Sequence, residues 1–131
     1  MHESLILNVM EKLLYGDVPI LEILRSQYRD SKIINVECSN VGFFVNFEVD
    51  SNKIDVDGIA TDFNIGDLYG TVDGIQDAVG FILFVIDGKL SMLEGYTNAI
   101  DVWPADEDIY LMYDSGFDRN IEVLEKEWKI K

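Results

Sequence analysis

A chain of 131 residues with 48% hydrophobic content, two prolines and no low-complexity tract is of a size and composition that builds its own core, which excludes a disordered or disulfide-stapled protein. Its net charge of −15 makes nucleic acid and anionic membranes poor partners. The single cysteine, Cys38, has no internal disulfide partner, and the longest apolar run, Phe81 to Ile86, is far short of the roughly 20 residues of a membrane span.

No charged leader with an apolar stretch and small-residue cleavage site opens the chain, so a single domain over residues 1–131 in a reducing cytoplasm is expected. The charge is unevenly placed. Residues 33–118 hold 17 of the 25 acids but only two of the ten bases, Lys53 and Lys89, while the two ends together are neutral. A basic protein is the partner such a surface favours.

In chain order, Ser4 can cap a helix over about residues 4–15, with Leu5, Val9 and Leu13 recurring at helical spacing and Gly16 at its end. Asp17 and Pro19 open a second helix with a face of Ile20, Ile23, Leu24 and Gln27. From Lys32 the period changes to two. Ile34, Val36 and Cys38 share a face, and a turn at Ser39-Asn40 leads into Val41, Phe43, Val45 and Phe47, with Val36 expected opposite Phe43. Residues 50–64 read as a loop, and 65–72 as a strand whose glycines Gly66 and Gly70 suggest a bulge or a close backbone approach. Asp73-Gly74 reads as a turn.

Val79 to Thr97 is the strongest local signal: two strand-like flanks around Asp87-Gly88, which suits a type I′ turn. The first strand is apolar on both faces and is expected to be central and covered above and below; simple pairing sets Phe81 opposite Glu94. Residues 98–108 read as a loop and Ile109–Tyr113 as a last strand. Ser115 or Asp118 can cap a C-terminal helix, with the very end readable as helix or strand. The fold class is therefore α+β: two N-terminal helices on a mostly antiparallel sheet of five or six strands.

His2 is the only histidine, which removes His-based nucleophilic and metal chemistry, and no cofactor or metal is expected. Asp55, Asp57 and Asp62 are spaced like part of a calcium loop but lack the ligands and glycine that complete one. Asp67 with Glu94 could form a carboxylate pair for acid–base work; a structural carboxylate is the plainer reading, and the chain is expected not to be an enzyme. The aromatics Phe44, Tyr69, Tyr96 and Trp103 interleaved with acids suit a protein interface.

The segments Val41-Gly-Phe-Phe-Val-Asn-Phe47, Asn64-Ile-Gly-Asp-Leu-Tyr69, Gly80 to Thr97 and Trp103-Pro104 resemble a family of small acidic, largely uncharacterised bacterial proteins. In size, acidity and want of a catalytic motif the chain is also similar to immunity proteins of bacterial toxin systems, including contact-dependent growth inhibition. That second likeness implies neutralisation of a cognate basic toxin domain, in the nuclease class, with no catalytic residue carried over. Candidate contacts are Asp62, Tyr69, Asp101, Trp103, Asp106, Glu107, Asp108 and also Asp67. The alternative is a non-enzymatic module that binds a small molecule or protein without a toxin partner.

Overall fold

The structure, a computed structural model, describes residues 3–50, 62–72, 75, 77–105 and 108–128. The fold is α+β: helices α1 (Glu3–Leu13) and α2 (Pro19–Asp30), strands β1 (Lys32–Ser39), β2 (Gly42–Glu48), β3 (Phe63–Thr71), β4 (Val79–Ile86), β5 (Lys89–Tyr96) and β6 (Tyr110–Tyr113), then helix α3 (Ile121–Trp128). The six strands form one antiparallel sheet in the order β1-β2-β5-β4-β3-β6. None of the described helices is long and apolar enough to cross a membrane. Most of the loop expected at 50–64, Asp55 and Asp57 included, and the turn at Asp73-Gly74 lie outside the described residues.

The sheet has one closely packed face. Phe43 and Val45 of β2, Leu93 of β5, Phe81, Leu83 and Val85 of β4 and Ile65 and Leu68 of β3 meet Val9, Met10 and Leu13 of α1 and Leu21 and Leu24 of α2 in one apolar cluster. Burial of this stripe, at about 25 cal/mol per Å², is the main term holding the two helices on the sheet. The helix order follows from short-range chemistry with two corrections. The residue flanking α2 is Val18, which makes no side-chain cap, so Asp17 is not its cap; Pro19 supplies the fixed φ of the first turn. At α3 the cap is Asn120, whose Oδ1 accepts the Val123 N–H at 3.3 Å, whereas the Ser115 hydroxyl bonds the Asp118 carbonyl.

Two basic side chains close the exposed C-terminus of α1. Arg25 donates to the carbonyls of Leu14 and Gly16, and Arg119 donates to those of Leu13 at 2.9 Å and Tyr15 at 2.7 Å. These are the carbonyls a helix end leaves unpaired, at the negative pole of its dipole. Helix α2 is keyed to the central hairpin by Gln27. Its amide nitrogen donates to the Gly88 carbonyl at 2.8 Å and its amide oxygen accepts the Leu90 N–H at 2.9 Å.

The hairpin turn is as expected: Asp87 and Gly88 have φ of 55° and 77°. Its register is not. Val85 faces Leu90, but a bulge at Ser91 shifts the remainder, so Phe84 faces Met92, Leu83 faces Leu93 and Glu94 faces Ile82 instead of Phe81. One inserted residue sends Leu93 inward and Glu94 to the opposite face. Strand β4 is central, between β5 and β3, yet only one face is sealed: Ile82 and Phe84 stay half-buried and Ile86 is exposed.

The first hairpin also differs by a step. Its loop is Asn40-Val41, so Val36 faces Val45 and Cys38 faces Phe43, and a bulge near Ile34 sets Ile33 opposite Phe47. The loop is fixed from outside the hairpin, by the Thr97 N–H on the Val41 carbonyl at 2.9 Å and the Trp103 N–H on the Asn40 carbonyl at 2.7 Å.

Candidate functional site

The face of the sheet away from α1 and α2 carries the outward side chains of β2, β5, β4 and β3. Register places them in rows: Phe44, Glu94 and Ile82; Tyr96, Gly80 and Tyr69; Asn46, Met92, Phe84 and Asn64. Directly opposed residues on such rows are about 5 Å apart, and same-face neighbours along a strand about 7 Å. Glu94 therefore stands inside a ring of Phe44, Ile82, Met92 and Tyr96, and no base is among them.

Tyr96 has room because Gly80 lies opposite; a Cβ there would collide with its ring. Burial first, then the neighbouring Tyr69 phenol and the Glu94 charge, raise the Tyr96 hydroxyl above the ordinary value of 10.0. The Tyr96 phenol thus stays protonated, a hydrogen-bond donor beside a carboxylate, through the neutral range. An anion with aromatic walls suits one kind of guest: a guanidinium or ammonium group that donates charge-assisted hydrogen bonds to the carboxylate while its flat or alkyl part covers Phe44 and Tyr96.

The residues singled out from the sequence are scattered relative to this ring. Tyr69 is on the same face, 37% exposed. Asp62 is exposed, but its Oδ1 accepts the Asp87 N–H at 2.9 Å at the β4–β5 turn. That is the far end of β3 from Tyr69, roughly 20 Å away by strand rise. Asp101 is half-buried. Its carbonyl accepts the Thr97 hydroxyl at 2.7 Å, and its Oδ2 is buried without a hydrogen-bond partner among the described residues. Asp108 is exposed, before β6; Asp106 and Glu107 lie outside the described residues.

Asp67 is internal, and Trp103 is half-buried against the core. Asp67 is 5% exposed and fully engaged: Arg119 Nε reaches its Oδ2 at 2.9 Å and Arg119 Nη2 its Oδ1 at 2.8 Å, with the guanidinium 5.0 Å from the Tyr113 ring centre. Both carboxylate oxygens of Asp67 thus accept hydrogen bonds from Arg119. Trp103 meets Phe43 and Phe81 edge to face, with ring centres 5.2 and 6.2 Å apart, and closes one end of the core. Arg119 had no signal in the sequence beyond its charge, because the 52 residues that separate it from Asp67 hide the pair.

A polar cleft of about 370 Å³ between β3 and α3, lined by Asn64, Asp114, Asn120 and Glu127, borders the ion pair. No group of three or more His, Cys, Asp or Glu side chains able to hold a metal ion occurs among the described residues. No family model, curated protein or solved structure matches the chain.

Proposed function

We propose that the chain is an immunity-type inhibitor, which binds a cognate basic toxin domain of the nuclease class and neutralises it. The observation that carries this reading is Glu94 in a ring of Phe44, Ile82, Met92 and Tyr96 that contains no base, on a sheet built from the segment with the acid excess. Long-range attraction from the acids steers a basic domain to the sheet, and the ring offers its Arg or Lys side chain a place to be desolvated. Tyr69, on the same face, extends the contact beside the ring, and Asp101 and Asp108 add to the acidic field, whereas Asp67 and Trp103 support the fold. The partner is a protein; the reading includes no cofactor, nucleic acid or membrane, and it places the encounter in the bacterial cytoplasm, as in contact-dependent growth inhibition.

The test is to identify the gene immediately upstream and, where it encodes a large secreted protein ending in a basic C-terminal domain as this reading expects, to co-express that domain with the chain. Protection of the cells and co-purification at low salt, both lost with Glu94→Lys, are expected. Full toxicity with no complex at any salt would exclude the inhibitor reading. The apolar groove beside β1, lined by Ile6, Leu7, Tyr28, Ile33 and Val36, is the feature that favours a binding module without a toxin.

A further inference from the structure

Tyr96 is flanked across the sheet by two glycines, Gly42 on β2 and Gly80 on β4, and the next residue along that row is Tyr69 on β3. It leans one way. A Cβ on Gly80 would fall on the Cζ and hydroxyl of Tyr96, so the phenolic end of the ring lies over β4, about one strand spacing of 4.8 Å from its own strand and beside the Tyr69 phenol. The half-buried ring is thereby laid along the sheet instead of standing off it, in a place that the missing side chain of Gly80 provides. Glu94 lies two residues back along β5 on the same face, at the side of this aromatic plate, with Phe44 beyond it. Phe44 and Tyr69 each keep 37% of their surface exposed, so the face is open to a guest.

We propose that this face takes an arginine side chain of a partner protein and discriminates against lysine, and that Gly80 sets the preference by letting Tyr96 lie across β4. The inference rests on the inhibitor reading and names the side chain that the ring around Glu94 admits.

Charge calls for a cation, and shape and hydration choose between the two. A guanidinium is flat: it stacks its plane on an aromatic ring while the N–H groups at its rim donate to a carboxylate in a parallel pair. Tyr96 offers the ring and Glu94 the carboxylate, on neighbouring positions of one strand face about 7 Å apart. An ammonium is a compact, strongly hydrated point charge. The other walls around Glu94 are Phe44, Ile82 and Met92, whose side chains return no strong hydrogen bond for the water an ammonium gives up. The more weakly hydrated guanidinium loses less there. With the ring moved off Gly80, the attraction of Glu94 remains for both cations and the stacking that separates them is gone.

NMR titration of the full chain with two blocked tripeptides, acetyl-Gly-Arg-Gly-amide and acetyl-Gly-Lys-Gly-amide, at the same low salt tests it. The expected result is saturable shifts of the Tyr96, Phe44 and Glu94 resonances, with the arginine peptide bound about fivefold more tightly than the lysine peptide. The arginine δ-methylene protons move upfield, the ring-current sign of stacking that charge attraction alone does not produce. Glu94→Gln weakens both peptides, whereas Gly80→Ala weakens the arginine peptide alone and brings the two within about twofold of each other. Tyr96→Leu has the same effect as Gly80→Ala and replaces it should that variant fail to fold. Equal affinity of the natural chain for the two peptides overturns the inference, as does the absence of any saturable shift at these residues or a preference that survives both Gly80→Ala and Tyr96→Leu. No toxin is present in this titration, so the two readings fail separately: a neutralised toxin with no arginine preference leaves the inhibitor standing without this site, and arginine-selective binding with no toxin complex leaves the site without the inhibitor.

Discussion

Arg119 joins more of the molecule than any other side chain described: it neutralises Asp67, caps α1 through the carbonyls of Leu13 and Tyr15 and covers Tyr113. Its side chain is 1% exposed, so removing it strands a buried carboxylate along with the helix end. Arg119→Met is expected to lower unfolding free energy by about 3–5 kcal/mol in a urea titration, and Asp67→Asn added to it to cost less than the two separate changes summed. Gln27→Leu leaves the Gly88 carbonyl and the Leu90 N–H unpaired in the interior, and the same titration should register a loss of about 2–4 kcal/mol. The tyrosines report on pH. Tyr28, Tyr96 and Tyr113 are all pushed above 10.0, each chiefly by burial. The folded state then holds its phenolic protons more tightly than the unfolded state does. Their contribution to stability is complete below pH 10 and is lost as pH rises through the raised values. Phenolate absorbance at 295 nm should therefore develop at higher pH in the native chain than in concentrated guanidinium; coincident curves would contradict the burial of these hydroxyls.

Elements were legible where the signal is local. Asp87-Gly88 announces its turn, the spacing of Leu5, Val9 and Leu13 announces α1, and the glycines of β3 announce the bulge found between Ile65 and Leu68. Register was less so, because it is decided between elements. The bulge at Ser91 follows from fitting Leu90 and Leu93 to the same core, and neighbouring residues alone give no hint of it. The step in the first hairpin puts Gly42 at the start of β2, where a Cβ would collide with the Gly95 carbonyl, so β2 and β5 approach closely there. Gly42→Ala is expected to force the two strands apart, with a loss of about 1–3 kcal/mol and faster exchange of the amides on both strands. An unchanged melting temperature would show that the approach is not tight. The candidate site was legible in part for the same reason. Phe44, Tyr96 and Glu94 were visible as aromatics and an acid, but only the shifted register puts Glu94 between Phe44 and Ile82.

At the scale of the whole molecule, charge and apolar surface are divided. The segment forming β2 to β6 carries the acids and the ring around Glu94; the segment forming α1, α2 and β1 carries the apolar groove. On the inhibitor reading, the acidic segment associates with a basic protein, and salt weakens that association. The most direct measurement is the association rate of the purified chain with the basic toxin domain that the inhibitor reading expects to be encoded beside it, followed from about 50 to about 500 mM salt for the natural protein and for Glu94→Lys. A rate that falls steeply with salt, together with a dissociation rate raised by Glu94→Lys, is the predicted result. A rate indifferent to salt, or a complex indifferent to Glu94, would contradict an inhibitor that works through this face.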